Sequence, residues 1–191
     1  MDLSVIIVSF NTKDRLRECL RSVFASRTKF NFEVFVVDNA SSDGSADMVL
    51  TDFPIVKFVR NQENVGYARA NNQVLRNITS PTLAPARGGE KGEVASPQSR
   101  YILLLNPDVE IASDSFDKMI SFMDNDSSVG IAGCKVVKSD GSFDKASMRN
   151  FPDLKNSLLH FFGFASTYNP DLPQDEVAVV DSVMGAFLMI R

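Results

Sequence analysis

The chain has 191 residues, 44% of them hydrophobic and 23% charged, and a net charge of −4. That length suits one domain with a substantial core, and the negative balance excludes a general electrostatic grip on nucleic acid or acidic membranes, leaving only local basic patches. No run reaches the roughly 18 apolar residues of a membrane span, and Met1-Asp2-Leu3-Ser4 lacks the basic and apolar regions of a signal peptide.

Val5-Ile6-Ile7-Val8 is a continuous β-branched run, the pattern of a strand buried on both faces of a parallel sheet. Asn11 and Thr12 offer N-caps, and Leu16, Cys19, Leu20, Val23 and Phe24 follow at helical spacing. Residues 32–37 read as a second strand, 38–45 as a polar turn and 46–50 as a short helix. Pro54 precedes a third strand over 56–59. After a loop at 61–66, residues 67–78 form a helix whose Tyr67, Ala70, Val74 and Ile78 are available to face the sheet.

Residues 79–100 hold Pro81, Pro85, Gly88, Gly89, Gly92 and Pro97 among Ser and Thr. So long a structureless stretch is uncommon in a compact domain. It reads as a disordered surface insertion, with a lid as the sharper alternative.

Residues 101–105 give a fourth strand. Residues 113–123 give a helix with Phe116, Met119, Ile120 and Met123 on one side. Residues 130–137 read as a further strand, and Asp140-Gly141 between Val137 and Phe143 as a hairpin turn. Residues 151–164 are an irregular or helical apolar stretch, and 177–180 and 187–190 are later strands. Strand and helix alternate through the first 125 residues or so, which predicts an α/β domain with a mostly parallel sheet.

Cys19 and Cys134 are far apart and make no zinc spacing. Both sit on apolar stripes and read as small buried hydrophobes, in keeping with a reducing cytoplasm. His160, the sole histidine, has no nucleophile pattern or second ligand nearby and reads as a packing residue.

In open α/β sheets, ligands bind beyond the carboxyl ends of the strands. Four loops there concentrate Asn, Asp and Ser around helix starts. They are Ser9-Phe10-Asn11, residues 38–45, residues 61–66, and Asn106-Pro107-Asp108. Asp38 ends a buried strand, where a carboxylate can accept a base N–H or a ribose hydroxyl, or serve as a cap. Asn64-Val65-Gly66 allows close backbone approach at a helix start, suited to a phosphate or to a plain turn. Asp108, with Glu110 two positions on, suits a magnesium or manganese ion bridged to a diphosphate, or is a solvated loop acid.

In this order and spacing the segments Val8-Ser9-Phe10-Asn11, Val36-Val37-Asp38-Asn39-Ala40-Ser41-Ser42-Asp43-Gly44-Ser45, Asn64-Val65-Gly66-Tyr67-Ala68, Leu104-Leu105-Asn106-Pro107-Asp108 and Gly185-Ala186-Phe187-Leu188-Met189-Ile190-Arg191 resemble family-two glycosyltransferases of the GT-A fold. The closest look is to the rhamnosyltransferase-like branch that builds bacterial surface polysaccharides. The resemblance implies a Rossmann-like nucleotide-diphospho-sugar transferase fold, a nucleoside-diphosphate sugar donor, and transfer with inversion to a saccharide or lipid-linked acceptor. It sets Ser9, Asn11 and Asp38 against base and ribose, and Asn64 and Gly66 near base, ribose or diphosphate. Asn106-Pro107-Asp108 becomes a variant of the family's Asp-x-Asp motif, with Asp108 holding Mn²⁺ or Mg²⁺. Gly185 lines the acceptor side. A lipid-linked acceptor would draw the protein to the inner face of the membrane.

Inversion needs a general base, which in this family comes from an acidic motif some tens of residues after the segment matching residues 185–191. The expectation is therefore a single domain, incomplete at its C-terminal end, that binds donor but transfers sugar feebly or not at all. The alternative is a catalytically inactive nucleotide-sugar-binding module. A nucleotidyltransferase would need a Gly-rich basic loop after the first strand, which Ser9-Phe10-Asn11-Thr12-Lys13 is not. A dinucleotide oxidoreductase would need the Gly-x-Gly-x-x-Gly turn, which is absent there.

Overall fold

The computed structural model describes residues 1–79, 99–138, 140–144, 148–149 and 176–191. The elements in chain order are β1 (Leu3–Ser9), α1 (Lys13–Phe24), β2 (Phe32–Asp38), α2 (Ser45–Asp52), β3 (Lys57–Arg60), α3 (Tyr67–Thr79), β4 (Tyr101–Leu105), α4 (Ser115–Asn125), β5 (Ile131–Gly133), β6 (Met148–Arg149), β7 (Ser182–Val183) and β8 (Phe187–Ile190).

Six strands form one sheet in the order β3-β2-β1-β4-β8-β5. The first four are parallel, and β8 runs antiparallel between β4 and β5. β1 is central, and all seven of its residues are buried, as its unbroken apolar run requires. Odd positions of β1 (Leu3, Val5, Ile7) join Val34, Val36, Leu103 and Leu105 under α1, α2 and α4. Even positions (Ile6, Val8) join Val37 under Ala70, Val74 and Ile78 of α3.

Crossover handedness explains why α3, among the described helices, lies on the opposite face from α1, α2 and α4. The steps β1-α1-β2 and β2-α2-β3 move outward in one direction. The step β3-α3-β4 returns across two strands to the other side of β1. With right-handed crossovers throughout, reversing the direction moves the helix to the opposite face. The strand order therefore diverges between β1 and β4, the place where such sheets open a crevice for ligands. Packing sustains this frame. Leu16 and Leu20 of α1 are fully buried in the larger core, and truncating either to Ala should cost about 2–5 kcal/mol.

Some sequence expectations shift here. The strand expected over 130–137 is only Ile131–Gly133, because the chain then turns into a hairpin bridged between Val137 and Phe143. The Asp140-Gly141 turn is present, with Gly141 at φ 81° and Lys138 O accepting from Gly141 N at 2.9 Å. Residues 177–180 are not a strand. Val177 and Val179 are 78% and 101% exposed, and pairing begins only at Ser182 with Met148–Arg149. Of the residues expected to face the sheet, Ala70, Val74 and Ile78 are buried, while Tyr67 at the start of the same stripe is 45% exposed and Asn71 is 4% exposed. Cys19 is fully buried and Cys134 half-buried, and both are free thiols. His160, the stretch 151–164 and nearly all of 79–100 lie outside the described residues. Among the described residues no helix is long and apolar enough to cross a membrane.

Candidate functional site

Parallel strands bring the loops after β1, β2, β3 and β4 to one edge of the sheet. The β1 and β2 loops are stitched together. Asn11, at φ 53°, donates its N–H to Ser41 Oγ at 2.9 Å, and its Oδ1 accepts Ser42 N at 2.8 Å. Ser9 Oγ pairs with Thr12 Oγ1 at 2.9 Å, so Thr12 makes no side-chain cap to α1. That cap comes from Asp43, whose Oδ2 accepts Lys13 N at 2.8 Å. Its Oδ1 accepts Ser45 N at 2.9 Å and Ser45 Oγ at 2.5 Å, anchoring the start of α2. Desolvation opposes the Asp43 charge. The hydrogen bonds from the Ser45 hydroxyl and from the Lys13 and Ser45 amides outweigh it and hold the carboxyl below its usual range. The Ser9 hydroxyl and the Asn11 side-chain oxygen thus take part in building the loops.

Asp38 is different. It is 1% exposed at the end of β2; Oδ2 accepts Ser41 N at 3.1 Å, and Oδ1 is buried without a partner among the described residues. Orphaned buried acceptors are rare in native proteins and call for an explanation. Close by, Asn61 N donates to Asp38 O at 2.9 Å, and Asn61 Nδ2 donates to Asn39 Oδ1 at 2.8 Å. Gln73 Nε2 closes the set on Asn61 Oδ1 at 2.9 Å. This amide ladder fixes the β3 loop against β2. A hollow of about 460 Å³ opens beside it, lined by Ala40, Ser41, Arg60, Asn61 and Gln62. The ladder and Arg60 escaped the sequence reading, since amides of this kind are indistinguishable from surface residues until the loops are juxtaposed.

Asn64 Oδ1 accepts Gly66 N at 3.0 Å, and Gly66 has φ 83° with open space where a Cβ would stand. That turn exposes the first backbone amides of α3 toward the same edge. After β4, Asn106 N donates to Ala186 O at 3.0 Å, tying the loop to the lead-in of β8. The Cys19 thiol donates to Asn106 O at 3.6 Å from below. Burial pushes that thiol up to about 12, helped by the charges of Asp108 and Glu110. Asp108 itself is 47% exposed at its side chain, with Arg15 Nη1 at 3.9 Å. Asp14, Arg15, Glu18, Asp108 and Glu110 line a second hollow of about 210 Å³. Gly185 lies across from α3, with the Tyr67 hydroxyl 3.9 Å from where its Cβ would be.

Among the described residues there is no group of three His, Cys, Asp or Glu placed to hold a metal ion. One accessible carboxylate on a tethered loop fits an ion that takes most of its ligands from a diphosphate. Asp108 would hold it, and the ion would supply charge neutralisation to the diphosphate.

A twisted, mostly parallel sheet with polar loops at its carboxyl edge and an antiparallel strand beyond β4 defines a GT-A type nucleotide-binding fold. Residues 4–177 match the profile described as Glycosyl transferase family 2, and the chain belongs to that family. Among curated relatives, the uncharacterized glycosyltransferase YfnE of Bacillus subtilis (strain 168) is 42% identical over 86 residues, 44% of this chain and 22% of that protein. The N-acetylglucosaminyl-diphospho-decaprenol L-rhamnosyltransferase of Mycobacterium tuberculosis (strain ATCC 25618 / H37Rv) is 24% identical over 159 residues, 83% of this chain and 48% of that protein. The chain therefore spans about half or less of the length of these relatives. S. aureus TarS, solved with UDP-GlcNAc, superposes with a TM-score of 0.57 at 21% identity, covering 78% of this chain and 38% of that one. The mannosyltransferase PcManGT from Pyrobaculum calidifontis, solved with GDP-Man and Mn²⁺, gives 0.53 at 23%, covering 71% and 35%. At these identities the structural likeness establishes the fold.

Proposed function

We propose that this chain forms the donor-binding part of a glycosyltransferase that takes a nucleoside-diphosphate sugar and passes the sugar, with inversion, to a saccharide or lipid-linked acceptor. The observation that carries this reading is Asp38 Oδ1, a buried acceptor with no partner among the described residues, on the strand end whose following residues Ala40 and Ser41 line a hollow large enough for a nucleobase. A base N–H or ribose hydroxyl satisfies it, which turns an energetic liability of the free fold into binding affinity. Ser9 and Asn11 act behind it by fixing the loop geometry. Asn64 and Gly66 present backbone N–H groups toward ribose or diphosphate, Asn106 shapes the loop, and Asp108 holds Mn²⁺ or Mg²⁺. Gly185 borders the acceptor side.

PcManGT was solved with a nucleotide sugar and Mn²⁺, and TarS with UDP-GlcNAc, which supports both donor class and metal. The rhamnosyltransferase named for a decaprenol-linked substrate supports a lipid-linked acceptor and a place at the inner membrane face. No residue of the chain is assigned as the general base that inversion requires.

The test is calorimetric titration of UDP and dTDP with and without Mn²⁺. Metal-dependent binding is expected. A folded chain that binds neither nucleotide would overturn the donor reading. Binding without any transfer or hydrolysis of donor sugars would favour the inactive binding module instead.

A further inference from the structure

α3 carries one residue that packing alone does not explain. Asn71 is 4% exposed, next to Ala70 on a helix face whose other buried members are Val74 and Ile78. Its Nδ2 donates to the Tyr67 carbonyl one turn back at 3.0 Å. The amide is therefore drawn toward the start of α3, which is the carboxyl edge of the sheet. Its Oδ1 is buried and has no partner among the described residues. For folding alone an apolar residue would serve better there, because an unmet acceptor is destabilising where a shape-matched apolar group is not.

The surroundings point to the crevice. The Tyr67 phenol stands beside the Asn71 amide and reaches toward Gly185, stopping 3.9 Å from where a Cβ there would stand. Gly185 immediately precedes Ala186, whose carbonyl holds the backbone of Asn106. Tyr67 thus reaches from the start of α3, with Asn71 beside it, to the lead of β8, which is hydrogen-bonded through Ala186 to the Asn106-Pro107-Asp108 loop. Tyr67 is 45% exposed, and its hydroxyl lies within hydrogen-bonding reach of the Asn71 amide, a contact that an entering donor would displace.

We propose that Asn71 Oδ1 accepts a hydrogen bond from a hydroxyl group of the transferred sugar, with the Tyr67 ring shielding that acceptor until the donor enters. This assignment rests on the nucleotide-sugar reading above. It also follows from what each part of such a donor offers. An ionised diphosphate has only acceptors, and under the same reading the nucleoside, base and ribose, lies against Asp38 at the far side of β1. The sugar is the part rich in O–H donors.

The experiment compares bare nucleotides with their sugar conjugates, UDP against UDP-N-acetylglucosamine and dTDP against dTDP-rhamnose, for wild type and Asn71→Leu. Leucine fills a similar volume and removes the unmet acceptor, so the variant should melt no lower than wild type. It should bind UDP and dTDP within about twofold of wild type. For the conjugate whose sugar adds affinity in the wild type, it should lose about tenfold. Asn71→Ser, too short to reach, should show the same selective loss and serves if the leucine variant misfolds. Wild-type affinity of both variants for that conjugate, or no contribution from either sugar in the wild type, would overturn the assignment and leave the donor site standing. Absence of all nucleotide binding by the wild type would overturn the donor reading and this one with it.

Discussion

The Asp43 carboxylate accepts the backbone N–H of Lys13 at 2.8 Å, so a residue of the β2 loop caps a helix that begins after β1. Its second oxygen holds Ser45, at the start of α2. One side chain thus sets the entry of two helices and the spacing of two loops of the site. Asp43→Ala should lower stability by about 1–2 kcal/mol, the usual range for losing a strong N-cap. Because the folded-state carboxyl lies below its usual range, its contribution is present above the unfolded value of about 3.9 and fades as pH falls through the lower folded value. Urea unfolding of the two proteins should give a constant difference from pH 5 to 7 that narrows below pH 4. A difference that persists unchanged at pH 2.5 would rule out the charged cap.

The frame around this contact was legible because period and punctuation agree. Val5 to Val8 could only be a strand covered on both faces, and the stripe Leu16, Cys19, Leu20 and Val23 could only face a core; both are buried. Less legible was what depends on juxtaposing distant loops. Asn11 and Ser9 carry the right chemistry for ribose, and the Asn11 side-chain oxygen and the Ser9 hydroxyl also bond to Ser42 and Thr12. Nothing in the local pattern distinguishes a binding residue from one that builds the loop. Asn71 was passed over because an asparagine on a helix reads as surface, while Tyr67 reads as core. In the fold their burial is reversed, with Tyr67 in the first turn of α3 45% exposed and Asn71 one turn further on 4% exposed. The valines at 177 and 179 mimic a strand by composition, but no partner strand lies beside them among the described residues.

Asp38→Asn preserves shape and leaves an oxygen able to accept Ser41 N, but sets an N–H₂ donor where the free acceptor stood. Loss of a charge-assisted hydrogen bond to the ligand is worth about 1.5–3 kcal/mol. UDP and dTDP affinities should therefore fall between roughly tenfold and a hundredfold. The melting temperature should hold or rise, since the variant no longer buries an unpartnered carboxylate oxygen. Equal affinity for both proteins in calorimetry would dissociate Asp38 from the donor.

Asp108 should separate metal from nucleotide. Its side chain is 47% exposed and its ion pair with Arg15 is long, at 3.9 Å, so Asp108→Ala should change stability by less than about 1 kcal/mol. Under the proposed role, the variant binds UDP equally well with and without Mn²⁺, whereas the wild type binds more tightly with it. If the Mn²⁺ enhancement survives the substitution, the ion is held elsewhere.

Cys19 offers a readout of the site's mobility without touching its polar residues. Its thiol is fully buried, donates to Asn106 O at 3.6 Å, and is pushed up to about 12 by burial and by Asp108 and Glu110. Cys134 is pushed up to about 11 by burial. The reactive thiolate is therefore scarce at both positions at pH 8. Iodoacetamide should leave the native protein nearly unlabelled and modify both cysteines promptly in urea. Slow native labelling of Cys19 requires α1 to part from the Asn106 carbonyl, so its rate measures opening beneath the Asn106-Pro107-Asp108 loop. A donor nucleotide with Mn²⁺ stabilises the closed form by mass action, and labelling should slow in proportion to the fraction bound. If the rate at Cys19, located by peptide mass analysis, does not change at saturating UDP and Mn²⁺, the loop after β4 is not coupled to the ligand.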